Sequence, residues 1–221
     1  PKQTPVSKVE AIRNFGVDPI LLSPDEFRSF QLESRWEEES YSFLNPWNDP
    51  MLIAGHGSIG LEIIDDFPDV DTVIVPIGVG GLICGVSCAL KALKQSVRVI
   101  GVQSVECPHL HAAFQAGKPI WITPRETICD GLSTPFITDE MYPLLREVVD
   151  EVVLIQEKAV KAAIKRLALR NKLIVEGAGA ISVACALSTP YEERGKTACI
   201  VSGGNIDTDK LIALINDPIL D

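Results

Sequence analysis

The apolar residues of this chain fall into two rhythms. "VDTVIVPI" (70–77) is an almost unbroken apolar run, the pattern of a strand buried on both faces in a parallel sheet. "VRVIGVQS" (97–104), "DEVVLIQ" (150–156) and the start of "TACIVSGGN" (197–205) read as further strands. Between them the spacing turns helical. "SKVEAIRNFG" places Val9, Ile12 and Phe15 on one face and stops at Gly16, before a short apolar strand, Pro19 to Leu22. "SPDEFRSFQLESRWEEES" (23–40) predicts an acidic amphipathic helix opened by Ser23 and Pro24. "YSFLNPWNDP" (41–50) reads as a loop, and "GSIGLEIIDDF" (57–67) as a helix begun through glycines.

Farther on, helices are predicted at "GLICGVSCALKAL" (81–93), "CPHLHAAFQAG" (107–117), "YPLLREVV" (142–149), "QEKAVKAAIKRLALRNK" (156–172), "VEGAGAISVACALS" (175–188) and "DTDKLIALI" (207–215). Residues 118–141 carry too many turn formers for a regular element. Strands alternating with helices predict an α/β fold with a mostly parallel sheet. Residues 70–104 form one complete strand–helix–strand unit, whose crossover is expected to be right-handed.

Charge then narrows the partners. A net charge of −10 disfavours nucleic acid and anionic membrane surfaces, both polyanions. It leaves room for a local phosphate site, which needs only a few aimed N–H groups. No apolar run approaches the roughly 20 residues of a membrane helix. The six cysteines (Cys84, Cys88, Cys107, Cys129, Cys185, Cys199) form no CxxC pair and no cluster with histidine, which fits a reducing cytoplasm rather than a disulfide framework.

Candidate chemistry concentrates at two glycine turns. Gly78-Val79-Gly80-Gly81 stands where a strand gives way to a helix, the place where open α/β sheets bind ligands. Free N–H groups and the positive helix end favour an anion there. The spacing is neither GxGxxG nor a P-loop, and a plain tight turn is the alternative. Ser202-Gly203-Gly204-Asn205 is a second such turn, and if its strand joins the same sheet the two would flank one ligand. Thr127, Asp130 and Gly131 form a polar cluster that also reads as a self-satisfying turn. Glu176 suits the first turn of a helix. His56, alone in a glycine-rich loop, reads as structural before catalytic. His109 and His111, two apart without a companion ligand, read as structural before metal-binding. The basic positions of 157–172 read as a solvated face.

Taken together, "NDPMLIAGHGSIGLEI", "VDTVIVPIGVGGLICG", "RVIGVQS", "ETICDGL", "VDEVVLIQEKAV", "RNKLIVEGAGAI" and "IVSGGNID" resemble, in order, the fold-type-II pyridoxal-phosphate enzymes. The chain is most similar in flavour to the serine/threonine dehydratases of the short catabolic type. The resemblance implies a tryptophan-synthase-β-like α/β fold, with residues 1–52 as the second half of a small domain and 53–221 as most of the large cofactor-binding domain. It implies pyridoxal 5'-phosphate as cofactor, with the amides of Gly78, Val79, Gly80, Gly81 and Leu82 on its phosphate. Ser202 would face the pyridine nitrogen, Gly131 and Glu176 would line the ring's surroundings, and Gly55 to Ser58 would approach near the domain junction. The implied reaction is β-elimination of water from a small 3-hydroxy amino acid, giving a 2-oxo acid and ammonia. The implied full-length enzyme is a cytoplasmic homo-oligomer, a dimer or tetramer.

Departures from the family pattern carry expectations of their own. The Schiff-base lysine and the Ser-Gly-Asn loop of the family lie before the segment matching "PKQTPVSK", so no residue here is assigned a catalytic role, and the chain by itself is expected to be inactive, as a fragment would be. Val79 replaces a glycine; were that position to need positive φ, strain of order 1–3 kcal/mol would follow. "GHGS" stands where the family has "GQGT" and sets a titratable ring near the site. Gln103, Cys107 and His109 stand where racemase-like relatives hold a divalent metal, which disfavours a racemase. Two other readings remain: a non-catalytic cofactor-binding module for regulation or assembly, and a nucleotide-dependent oxidoreductase. The second expects an acid near position 103, where Gln103 stands.

Overall fold

The structure is a computed structural model that describes residues 1–2 and 4–220, with Leu32 described by its backbone alone. Two compact units divide the chain, Pro1–Leu44 and Asn45–Asp221.

The first unit contains α1 (Val6–Asn14) and α2 (Pro24–Leu32). Helix α2 starts as its sequence dictates. Ser23 Oγ accepts from the Glu26 amide at 3.3 Å, and Glu26 Oε2 accepts from the Ser23 amide at 2.7 Å, a reciprocal cap with Pro24 at the first helical position. A 3₁₀ turn, Arg35–Glu38, replaces the end of the longer predicted helix, because Ser34 turns into the left-handed region at φ 52°. Trp36 and Phe43 stack at 4.7 Å with Phe30 edge-on to both. Pro19 to Leu22 does not form the expected strand. A strand needs a ladder, and among the described residues the segment takes part in one such backbone bond, Lys2 amide to the Leu22 carbonyl at 2.7 Å.

The second unit is built on four parallel strands: β1 (Thr72–Pro76), β2 (Arg98–Ser104), β3 (Glu151–Ile155) and β4 (Thr197–Cys199), in the order β3-β2-β1-β4. Its helices are α3 (Pro50–Asp66), α4 (Gly81–Leu93), α5 (His109–Ala116), α6 (Met141–Val148), α7 (Glu157–Arg166), α8 (Gly177–Ser188), α9 (Tyr191–Arg194) and α10 (Thr208–Asn216). The period-two alternation of the strands assigns two cores. Ile74, Ile100 and Val102 face one way and pack with Val160, Ile164 and Ile181. Val73, Val75 and Val99 face the other way and pack with Ile83, Leu90, Leu110 and Leu145. Helices therefore cover both faces, and β1 is buried along its whole length.

Helix α3 begins seven residues before its predicted start. Asp49 caps it, accepting from the amides of Met51 and Leu52 at 2.8 and 3.3 Å, and Pro50 takes the first position. Gly55 and His56 are thus helical rather than in a loop. The glycines that obscured this serve packing instead. A Cβ on Gly60 would meet the Val86 carbonyl at 2.8 Å, and one on Gly85 would overlap the Ile53 carbonyl and stand 2.7 Å from His56 Cβ. Helices α3 and α4 can approach this closely only because those side chains are missing. Helix α7 runs into a π turn, Leu167–Asn171, and Lys165 is buried there with Nζ donating to the Asp217 carbonyl at 2.7 Å, an exception to the solvated face expected.

Candidate functional site

The strand order decides how the glycine turns relate. Both β2 and β4 pair with β1 in parallel, so the chain leaves β1 for one neighbour and returns later to the other side. Registers Ile74↔Cys199 and the Ile200 amide on the Ile74 carbonyl at 3.0 Å carry the pairing to the sheet's carboxyl edge. The turns after β1 and β4 therefore leave the same edge from adjacent strands.

Around the first turn the backbone is specialised. Gly80 lies in the left-handed region at φ 100° and precedes α4, whose regular bonding starts with the Cys84 amide on the Gly80 carbonyl at 3.0 Å. The first amides of a helix have no partner within it, so those of Gly81, Leu82 and Ile83 are available to an anion beside the positive helix end. A Cβ on Gly81 would stand 2.6 Å from the Pro46 carbonyl, so only glycine permits that approach. Val79 is not among the residues with positive φ. The strain expected of its β-branch does not arise, because Gly80 carries the left-handed step.

A chain of close approaches links this turn to the others. A Cβ on Gly78 would meet the Gly131 carbonyl at 3.6 Å. One on Gly131 would meet Glu176 Oε1 at 3.5 Å and Ala178 Cβ at 3.2 Å, and one on Gly203 would overlap the Glu176 carboxylate. The Glu176 amide donates to the Gly203 carbonyl at 3.0 Å. Gly78, Gly131, Glu176 and the turn holding Ser202 thus share one edge of the sheet, floored by glycines, with Ser202 exposed. The Gly131 turn is itself anchored from below. Glu157 accepts from Thr127 Oγ1 and Ser104 Oγ, each at 2.6 Å, and from the Ile128 amide at 2.7 Å.

Gly55 stands apart from that group. It lines an open, apolar groove of about 610 Å³ with Gly57, Ser58, Ile53, Cys84 and Met141, and none of Gly78 to Leu82, Gly131, Glu176 or Ser202 borders it. His56, one residue on, lies closer to the turn, its Cδ2 4.0 Å from the Cβ position of Gly81. Gln103, Cys107 and His109 lie together, with Gln103 Nε2 3.1 Å from His109 Nδ1 and Cys107 Sγ 3.5 Å from it. Burial pushes His109 down to about 4, against the raising pull of the Gly78 and Cys107 carbonyls. His109 Nε2 lies 2.8 Å from the Gly78 carbonyl, a contact that no sequence spacing announces. Burial also pushes Cys84 and Cys129 up to about 12 and Cys107 and Cys199 to about 11, so none is a thiolate nucleophile at neutral pH. Among the described residues no group of three acidic, histidine or cysteine side chains could hold a metal. No described helix is long and apolar enough to cross a membrane.

A parallel sheet with a glycine turn at its switch point is the arrangement of the ligand-binding α/β class. The match to known proteins narrows it: residues 1–203 fit the model of the pyridoxal-phosphate dependent enzymes, and the chain belongs to that family. An L-threonine ammonia-lyase of Geobacter sulfurreducens is 38% identical over 218 residues, covering 97% of this chain and 54% of that protein. The catabolic L-threonine dehydratase of Escherichia coli (strain K12) is 39% identical over 216 residues, 96% of this chain and 65% of that protein. The chain thus spans about half to two thirds of these relatives. Maize serine racemase superposes with a TM-score of 0.84 at 34% identity, covering 96% of this chain and 67% of the other. The processed form of threonine deaminase isoform 2 from Solanum lycopersicum gives 0.83 at 29%, covering 97% and 60%.

Proposed function

We propose that this chain forms the cofactor-phosphate seat and ring surroundings of a pyridoxal-phosphate-dependent threonine/serine ammonia-lyase, which eliminates water from a 3-hydroxy amino acid. One observation carries the reading: the two glycine turns leave adjacent strands at one edge, with Gly131 and Glu176 between them. The names of the relatives point the same way, two of them ammonia-lyases or dehydratases of threonine. Within this reading residues 1–52 belong to a small domain and 53–221 to the cofactor-binding one, in a homo-oligomeric enzyme.

The residues present fit the cofactor. Its phosphate is a dianion of the size a helix amino terminus accepts, and the amides from Gly78 to Leu82 would hold it. Gly131 and Gly203 admit the Glu176 carboxylate close against both turns, which sets that carboxylate at the edge where the ring would lie. When bound, the ring supplies a sink for the electron pair left at the substrate's Cα. Ser202 would donate a hydrogen bond from its hydroxyl to the ring nitrogen and, being neutral, would leave that nitrogen unprotonated. A moderate sink of this kind suits prompt loss of a β-hydroxyl over reprotonation at Cα. The Thr127–Glu157–Ser104 anchor would keep Gly131 in place beneath the ring.

The test is a transplant. Residues 1–221 replace the matching stretch of the E. coli dehydratase, and the hybrid is assayed with L-threonine and L-serine. Formation of 2-oxo acid and ammonia is the expected result. Formation of D-serine without 2-oxo acid would move the reading to racemase chemistry. A folded hybrid that binds the cofactor but converts neither substrate would favour the non-catalytic module.

A further inference from the structure

We propose that His109 is a positioning residue for the anion-binding turn: its Nε2–H holds the Gly78 carbonyl, and the Gln103 amide braces the imidazole against it. The inference rests on reading that turn as the phosphate seat.

Five groups surround the two ring nitrogens, among them Cys107 Sγ at 3.5 Å from Nδ1. His109 opens α5 and is fully buried. The carbonyl of Gly78, 2.8 Å from Nε2, can only accept, so Nε2 carries a proton. Gln103 Nε2 lies 3.1 Å from Nδ1 and 3.0 Å from Nε2. Its own orientation is set by Oε1, which accepts from the His111 amide at 2.9 Å, so the NH₂ side faces the imidazole. Near-equal distances to the two ring nitrogens set that amide over the face of the imidazole, where it braces the ring without selecting a tautomer. The Cys107 carbonyl, 3.2 Å from Nδ1, would suit a proton on that nitrogen instead, but this tautomer would set the Nε2 lone pair against the Gly78 oxygen. An imidazolium could serve both carbonyls, yet complete burial and the Gln103 amide hydrogens oppose the charge. Thr134 Oγ1, 3.1 Å from Nε2, completes the surroundings.

The consequence lies one bond away. A trans peptide is planar, with its C=O and N–H pointing in opposite directions. Fixing the Gly78 carbonyl toward buried His109 therefore aims the Val79 N–H away from the core, toward the open side of the turn. Val79 can then present its amide without help from positive φ, which it does not adopt. The relay from the His111 amide through Gln103 and His109 to Gly78 ties β2 and α5 to the turn after β1.

The test uses the 221-residue chain with ¹⁵N-labelled histidine. Long-range ¹⁵N–¹H spectra without ligand should show His109 as the neutral Nε2–H tautomer; a proton on Nδ1 instead would overturn the proposal. His109→Leu, His109→Gln and Gln103→Met are then compared with wild type by amide exchange at Val79 and by affinity for pyridoxal 5'-phosphate against pyridoxal. Losing one hydrogen bond predicts a fall of about five- to tenfold for the phosphorylated ligand in His109→Leu, with pyridoxal unchanged. Val79 exchange should quicken, and His109→Gln, which keeps an N–H, should recover most of both. Wild-type exchange and wild-type phosphate preference in a folded His109→Leu would refute the role. Should His109→Leu fail to fold, Gln103→Met carries the comparison, since it leaves the imidazole but removes the amide that braces it. If wild type itself prefers neither ligand, the cofactor reading fails, while tautomer and Val79 exchange still decide whether His109 orders the turn.

Discussion

His109 ties the site to acidity through its burial. Its folded-state value of about 4 lies below the ordinary 6.5 of an unfolded chain. Between those values the unfolded state binds more protons, so stability rises with pH there. The contribution of neutral His109 is complete above 6.5 and is lost progressively as pH falls toward 4. The full difference is on the order of 3 kcal/mol, large against the roughly 5–15 kcal/mol of a typical domain. Urea midpoints measured from about pH 7.5 down to about 4.5 should fall for wild type and fall less steeply for His109→Gln, which has no proton to take up. Equal slopes would mean that another group sets the acid limit. At Val79 the same sequence departure is costly or harmless depending on one dihedral angle, and the neighbouring Gly80 takes the costly value.

Among elements, the α3–α4 pair sets two effects of glycine against each other. Alanine in a helix interior gains up to about 1 kcal/mol over glycine. At Gly85 that gain meets an overlap with the Ile53 carbonyl, backbone that cannot swing aside, and overpacking costs about 1–3 kcal/mol. Gly85→Ala should therefore lower the denaturant midpoint. Gly55→Ala meets nothing within 4 Å and should raise it by the propensity term alone. Thermal melts of both variants check the pair, and a stabilised Gly85→Ala would mean the helices part more easily than their packing implies. The same glycines explain what the sequence hides. Strands β1 to β3 and most helices are legible because burial writes period two or period 3.6 directly into the chain. The start of α3 is written too, as Asp49-Pro50, but the glycines after it read as a loop unless helix packing is known. Pro19 to Leu22 has a strand's composition and no ladder, which composition cannot reveal. The turns are legible as glycine runs at strand ends, whereas the His109–Gly78 contact joins residues 31 apart and exists only once β2 and α5 are folded.

For the second unit as a whole, function depends on a property that no single element has. Residues near 80 and near 202 become neighbours only because β4 pairs with β1 on the side opposite β2. If that edge holds one small aromatic phosphate, its binding should register at four places far apart in sequence: the amides of 79–82, Gly131, Glu176 and 202–205. Amide exchange or chemical-shift mapping with pyridoxal 5'-phosphate separates this from simpler outcomes. Inorganic phosphate should perturb the first turn alone, because it lacks a ring to reach the second. The full cofactor should add Gly131 and Ser202, and Ser202→Ala should remove the response at 202–205 while sparing that at 79–82. A cofactor response confined to 79–82 would leave an anion seat without a ring site and dissolve the ammonia-lyase reading. A response at both turns would tie the chemistry to the strand order, since another order would set the turns too far apart for one ligand to span.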